Sequence, residues 1–230
     1  MKKTALLLTL GLVTSCANLS TLQTARTVPP KTIEGFFGGG SYQSPQFSDL
    51  VNKATGSSEK LNLPYVEVGA RYGIIDNLDV GAKITIIGTM AADAKYRLLS
   101  LGGFDIATGL SLGYLTISQD TKATTGSTTT ATIIDTMVPL YVSFEPIEWF
   151  AIYASPKIWG RFVSGTTTTF ATFYAATAGV KLGKNFGVML EATQGNSLGG
   201  VEFSMTQVNA AFFFQISPPE AVKPAAEKAS

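Results

Sequence analysis

Twelve charged residues recur at alternating positions of an otherwise weakly charged chain: Glu67, Arg71, Asp79, Lys83, Asp93, Lys95, Arg97, Asp105, Lys157, Arg161, Lys181 and Glu191. Alternate residues of a strand share a face, so each charge falls on the face opposite its apolar neighbours. Seven of the twelve are basic and five acidic. Across a narrow interior such a set pairs and fills the space, because a buried charge needs a partner. Around a wider interior it borders a hydrated conduit with a slight anion preference. Catalytic chemistry has little to work with. The 230 residues contain no histidine, which removes Ser-His and Asp-His arrangements and His-bearing zinc sites. The single cysteine, Cys16, excludes an internal disulfide and thiolate clusters. An enzyme would have to use carboxylates alone, such as Glu67 or Asp93, so the expectation is a non-enzymatic protein with no metal and no bound cofactor. The glycine runs at 38–40 and 102–103 lack the strand-to-helix setting of a phosphate loop.

The segments that position these charges alternate with period two. Ten strands are expected, at 32–42, 62–74, 78–87, 91–98, 104–114, 132–144, 150–163, 169–182, 186–193 and 201–216. The fifth is the clearest: Phe104, Ile106, Thr108, Leu110, Leu112 and Tyr114 alternate with Asp105, Ala107, Gly109, Ser111 and Gly113. The first is glycine-rich and its register is the least determined. Pro139 and Pro156 fall inside the sixth and seventh strands, where each removes a ladder donor and marks a weak point or bulge. The tenth changes parity after Met205, which places a bulge near Thr206. Residues 43–60 and the Thr/Ser/Gly stretch 118–131 read as surface loops.

Charged residues make up 14% of the chain, against roughly 25% in soluble proteins. No segment after Val13 is apolar for the roughly 20 residues that a membrane helix needs. Strands that alternate reconcile the two observations. Connections after the even-numbered strands are short, and most after odd-numbered strands are longer and polar, as in transmembrane barrels with short periplasmic turns and longer outer loops. Phe104, Phe144, Phe150, Phe186, Phe212 and Phe214 gather on the short-turn side as an aromatic girdle. The expected fold is therefore all-β, an antiparallel up-and-down transmembrane barrel of about ten strands over residues 31–216. Lipid tolerates no open backbone edge, so the first strand must close on the tenth. A lumen of this size is near the limit that side chains can fill, which favours paired charges over an open pore. The formal charge of +1 argues against a nucleic-acid partner.

Two short motifs carry family resemblances. Val13-Thr14-Ser15-Cys16, behind Lys2, Lys3 and a leucine-rich run, resembles the lipobox of a bacterial lipoprotein precursor. It implies a signal peptide at 1–15, covalent lipid on Cys16, and residues 16–30 as a lipidated tether. Residues 210–214, Ala-Ala-Phe-Phe-Phe, resemble the terminal recognition strand of bacterial outer-membrane barrels, although Asn209 stands where that pattern favours glycine and a further segment follows. Together they imply the Gram-negative outer membrane as location, with its lipids and insertion machinery as partners and an unidentified surface or periplasmic protein as a further one. Residues 217–230, rich in Pro, Ala, Lys and Glu, read as a disordered periplasmic tail. An acyl anchor in the periplasmic leaflet would start the chain on the short-turn side. The functional expectation is a structural or interaction barrel with a mostly plugged lumen; the alternative is a narrow porin-like channel.

Overall fold

Residues 19–43, 62–86, 88–120, 128–165, 168–199 and 204–217 are described by the computed structural model. The signal segment, Cys16, residues 44–60 and 121–127 of the two expected loops and the tail beyond Ser217 lie outside them. Ten strands follow in order: β1 (Ile33–Gln43), β2 (Asn62–Ile75), β3 (Leu78–Thr85), β4 (Met90–Leu101), β5 (Phe104–Asp120), β6 (Thr128–Ile147), β7 (Phe150–Ser164), β8 (Thr169–Gly183), β9 (Phe186–Ser197) and β10 (Ser204–Ile216). Each pairs antiparallel with its sequence neighbours, and β1 pairs with β10, so the sheet is a closed up-and-down barrel. This is the expected fold, and closure leaves no strand edge without a ladder.

Alternation decides which residues face outward. Along β10, Val208, Phe212, Phe214 and Ile216 are exposed, while Gln207, Asn209, Ala211 and Phe213 are buried inside. The same division holds around the ring: Val68, Val80, Leu112, Val138, Ile158 and Leu190 all stand on the outer surface. Phe104, Phe144, Phe186, Phe212 and Phe214 are exposed beside the short turns, joined there by Trp149.

The seam uses the glycine run of β1. A Cβ on Gly38 would lie 2.4 Å from the Ala210 carbonyl oxygen, and one on Gly40 2.1 Å from that of Val208. Side chains there would hold β1 away from β10, so these positions serve close approach of two backbones.

Three local expectations change. β10 keeps one register against β9 from Ser204 onward and against β1 from Thr206 onward, so there is no bulge at Thr206: Met205 and Gln207 both face inward. β5 and β6 extend beyond the expected boundaries and pair out to Asp120 and Thr128, which places residues 118–120 and 128–131 of the expected loop in the ladder. Pro139 interrupts its ladder without shifting it, because Thr108↔Leu140 and Ser111↔Met137 belong to the same register. The Thr108 hydroxyl donates to the Pro139 carbonyl at 3.1 Å, across that gap.

Candidate functional site in the barrel lumen

The lumen holds a segment of the chain itself. Residues 19–28, expected to form part of a tether outside the barrel, lie within it, with Leu19, Leu22, Ala25 and Val28 no more than 4% exposed. The tether reading fails because these residues find a buried partner at nearly every step. Leu19 packs against Tyr42, Tyr65, Trp159, Phe173 and Met205, all toward the long-loop end. Leu22 packs near mid-depth with Phe36, Met189, Ala211 and Phe213. Ala25 packs with Ala107 and Tyr141, and Val28 reaches the turn end, where its N–H donates to Asp79 at 2.9 Å. Thr27 reaches the same end, its hydroxyl donating to the Asp76 carbonyl at 2.6 Å. This strap thus runs the length of the lumen.

Inside a barrel every strand already satisfies its own backbone, so the strap's peptide groups depend on side chains. Glu191 takes two of them: Oε1 accepts the Thr21 N–H and Oε2 the Leu22 N–H, each at 2.8 Å. Asn209 and Tyr153 donate to the same carboxylate at 2.7 and 3.1 Å. Lys157 donates to the Leu19 carbonyl at 2.6 Å and to the Thr21 hydroxyl at 2.7 Å. Lys83 donates to the Ser20 carbonyl at 2.7 Å, and Ser20 Oγ donates to Glu67 at 2.7 Å. Lys95 donates to the carbonyls of Thr24 and Arg26, both at 2.9 Å. Gln207 accepts the Leu19 N–H at 3.2 Å, and Ser143 accepts that of Ala25 at 3.1 Å. Charge-assisted hydrogen bonds of this kind are the stronger class.

At the turn end the strap reverses. Lys31 adopts φ +61°, its N–H donates to the Gly73 carbonyl at 2.8 Å, and the Gly73 N–H donates to the Thr32 carbonyl at 3.0 Å. Gly73 is required by approach rather than by turn geometry: a Cβ there would sit 2.0 Å from the Pro29 carbonyl oxygen. Arg26 ties the strap to the rim through Asp105 at 3.3 Å and Glu145 at 2.8 Å. The hydroxyls of Thr32 and Ser217 meet at 3.0 Å, joining the beginning and end of the barrel.

All twelve charges singled out in the sequence point into the lumen, and they divide into two groups. Glu67, Lys83, Lys95, Lys157 and Glu191 hold the strap as described. Asp79 does so through Val28 and also pairs with Arg71, whose second partner is Asp93 at 2.7 Å. Asp105 also reaches the strap, through Arg26 at 3.3 Å, with Arg97 farther off at 3.9 Å. The remaining two bind residues the sequence reading does not select: Arg161 grips Asp135 through two bonds of 2.8 Å, and Lys181 meets Glu34 at 3.2 Å. Asp135 sits on the polar parity of its strand and was legible there. Glu34 was obscured by the uncertain register of the first strand. Adding these two carboxylates makes the acidic members as numerous as the seven basic ones, so the basic excess behind an anion preference disappears.

Outside the membrane-facing region, Lys184 donates to Glu148 across two turns, and this ammonium holds the Glu148 carboxyl below the usual carboxylate range. Among the described residues no group of three or more Cys, Asp or Glu side chains is placed to hold a metal ion. Open space is small beside the strap, about 50 Å³ next to Ser20, Lys83, Arg71 and Tyr141. It is larger at the turn end, about 280 Å³ among Arg26, Glu34, Lys181 and Lys184.

No protein-family model matches this chain, and no curated protein matches it. Solved barrels with a similar course include the attachment invasion locus protein Ail of Yersinia pestis, with 10% identity over 81% of this chain and 99% of that one and a TM-score of 0.35. The outer membrane protease OmpT of Escherichia coli shares 10% identity over 84% of this chain and 100% of that one, with a TM-score of 0.42. The translocator domain of the autotransporter NalP from Neisseria meningitidis shares 10% identity over 93% and 97%, with a TM-score of 0.44. These likenesses concern the course of the barrel and nothing finer.

Proposed function

We propose that the chain is a bacterial outer-membrane β-barrel lipoprotein with a structural or interaction role, whose lumen is closed by its own N-terminal strap. The observation that carries this reading is the passage of Leu19 to Val28 through the barrel, with backbone groups held by Lys157, Glu191, Lys95 and Asp79. A solute passing through would have to displace a segment whose backbone groups are held by lumen side chains, leaving several unpaired at about 1–3 kcal/mol each. The exposed apolar belt supports a bilayer surround. The absence of histidine and the engagement of Glu67 with Ser20 and Asp93 with Arg71 leave no free acid–base pair among the candidate carboxylates, which supports a non-enzymatic role. Covalent lipid on Cys16 is the expected modification, and the loops at the long-loop end are the surface offered to a protein partner.

The second reading is a narrow channel. It draws on the polar space of about 280 Å³ at the turn end and requires the strap to leave the lumen. Single-channel recording of the full chain in planar bilayers separates the two. The closed barrel gives no steady current; a steady conductance that changes with Lys83→Glu or Arg161→Glu would overturn it.

A further inference from the structure

The strap runs from the long-loop end of the barrel to the turn end. Leu19 lies in a cluster with Tyr42 and Met205, each one residue from the long-loop end of its strand. From there depth falls steadily toward the turns: Thr21 and Leu22 meet Glu191 near the middle of β9, Ala25 meets Ser143 four residues from the end of β6, and Thr27 donates to the carbonyl of Asp76, in the β2–β3 turn, at 2.6 Å. The chain then reverses at Pro29–Thr32 and climbs again as β1. The strap is antiparallel to β1 and crosses the barrel in the opposite sense.

We propose that the chain is threaded through its own barrel, leaving the lumen at the long-loop rim, so that an acyl group on Cys16 engages the leaflet on the loop side rather than the periplasmic one. Cys16 and Leu19 are three chain steps apart, and three steps reach at most about 11 Å. The turn-side leaflet is farther away, since roughly 30 Å of hydrocarbon separates the two rims. Return through the lumen is blocked because the strap already fills it. This reverses the side expected for a periplasmic anchor. It also gives the strap two fixed ends, lipid at one rim and β1 at the other, with the pairing of β1 to β10 closing the barrel around it. The partner is therefore a lipid surface, the leaflet against the loop rim. The acyl clause rests on the lipoprotein reading above; the threading does not.

Distances between spin labels on the full chain, purified from membranes in detergent, test the threading. One label is placed at Asn18→Cys and the second at Ser164→Cys on the loop rim or Glu148→Cys on the turn rim. Any thiol left free at Cys16 lies two residues away and reports the same end. Threading predicts that the distance from 18 to 164 is shorter than that from 18 to 148 by about 20 Å, given the rim separation. Equal or reversed distances would overturn it. Mass spectrometry of the N-terminal peptide is read separately: an acyl increment on Cys16 supports the anchored form, whereas an unmodified cysteine removes the lipoprotein reading and its acyl clause while leaving the distances to decide the threading.

Discussion

The Glu191 carboxylate accepts the Leu22 backbone N–H at 2.8 Å, 169 positions away in sequence. A second bond from Glu191 to the Thr21 N–H makes this acid the central clamp on the strap. In a closed barrel the strands need nothing from Glu191, so its role lies in holding the segment that passes beside it. Glu191→Ala leaves two buried N–H groups, the Asn209 amide and the Tyr153 hydroxyl without this acceptor. The cost expected from unpaired buried groups is about 3 kcal/mol, read as a lower urea midpoint in detergent. Glu191→Gln, which keeps one acceptor oxygen, should lose less.

Gly73 offers a test in which no strap residue is altered. Its Cβ would sit 2.0 Å from the Pro29 carbonyl and 2.4 Å from that of Val28, both backbone atoms that cannot rotate away. Gly73→Ala should lift the elbow from β2 while the ring of strands still closes. Trypsin cutting at Arg26 or Lys31 in the folded protein is the measurement: several-fold faster cleavage is expected, and an unchanged rate would place the elbow elsewhere.

Trp159 reports on the loop end of the strap. Its ring is buried, stacks on Phe173 with centroids 4.7 Å apart, and belongs to the Leu19 cluster. The other tryptophan, Trp149, is 58% exposed and is silenced by Trp149→Phe. In that background Leu19→Ala should shift Trp159 emission to the red as water approaches, and should cost about 2–5 kcal/mol, the usual range for such a truncation in a packed core. Emission that stays at its original wavelength would mean that Leu19 does not cover the indole.

The Glu148–Lys184 contact between turns gives a pH prediction outside the membrane. Because Lys184 lowers the Glu148 pKa, the contact is present above the unfolded carboxylate pKa and is lost as pH falls through the lowered folded value. NMR titration of the Glu148 carboxyl should give a midpoint below the ordinary glutamate range, returning to it in Lys184→Ala. A midpoint unaffected by that substitution would contradict the contact.

Much of this fold is legible from alternation alone. β2, β7, β8 and β9 begin within a residue of the expected positions because one face meets apolar surroundings and the other does not, and a slip of one residue would exchange the faces. Phe212 outside and Phe213 inside follow from that rule. The inward charges follow as well, since each sits on the polar parity of its strand. Their partners do not: that Lys157 binds the Leu19 carbonyl depends on a contact 138 positions apart, which no local pattern carries. The strap is hidden in the sequence for a related reason. Leu19, Leu22, Ala25 and Val28 recur every third residue, a spacing that matches neither the strand period nor the helical one, so residues 19–28 read as a tether. The polar residues between them looked like solvent-facing linker because their partners, such as Glu67 for Ser20, lie far along the chain.

The central claim is that the strap closes the lumen, and planar-bilayer recording of a chain lacking residues 17–28 beside the full chain tests it most directly. The full chain should show no steady conductance. The deletion variant should open a small steady pore with little anion–cation preference, because Glu34 and Asp135 balance the basic charges among the described lumen residues. A full chain that conducts as well as the deletion variant would contradict the account.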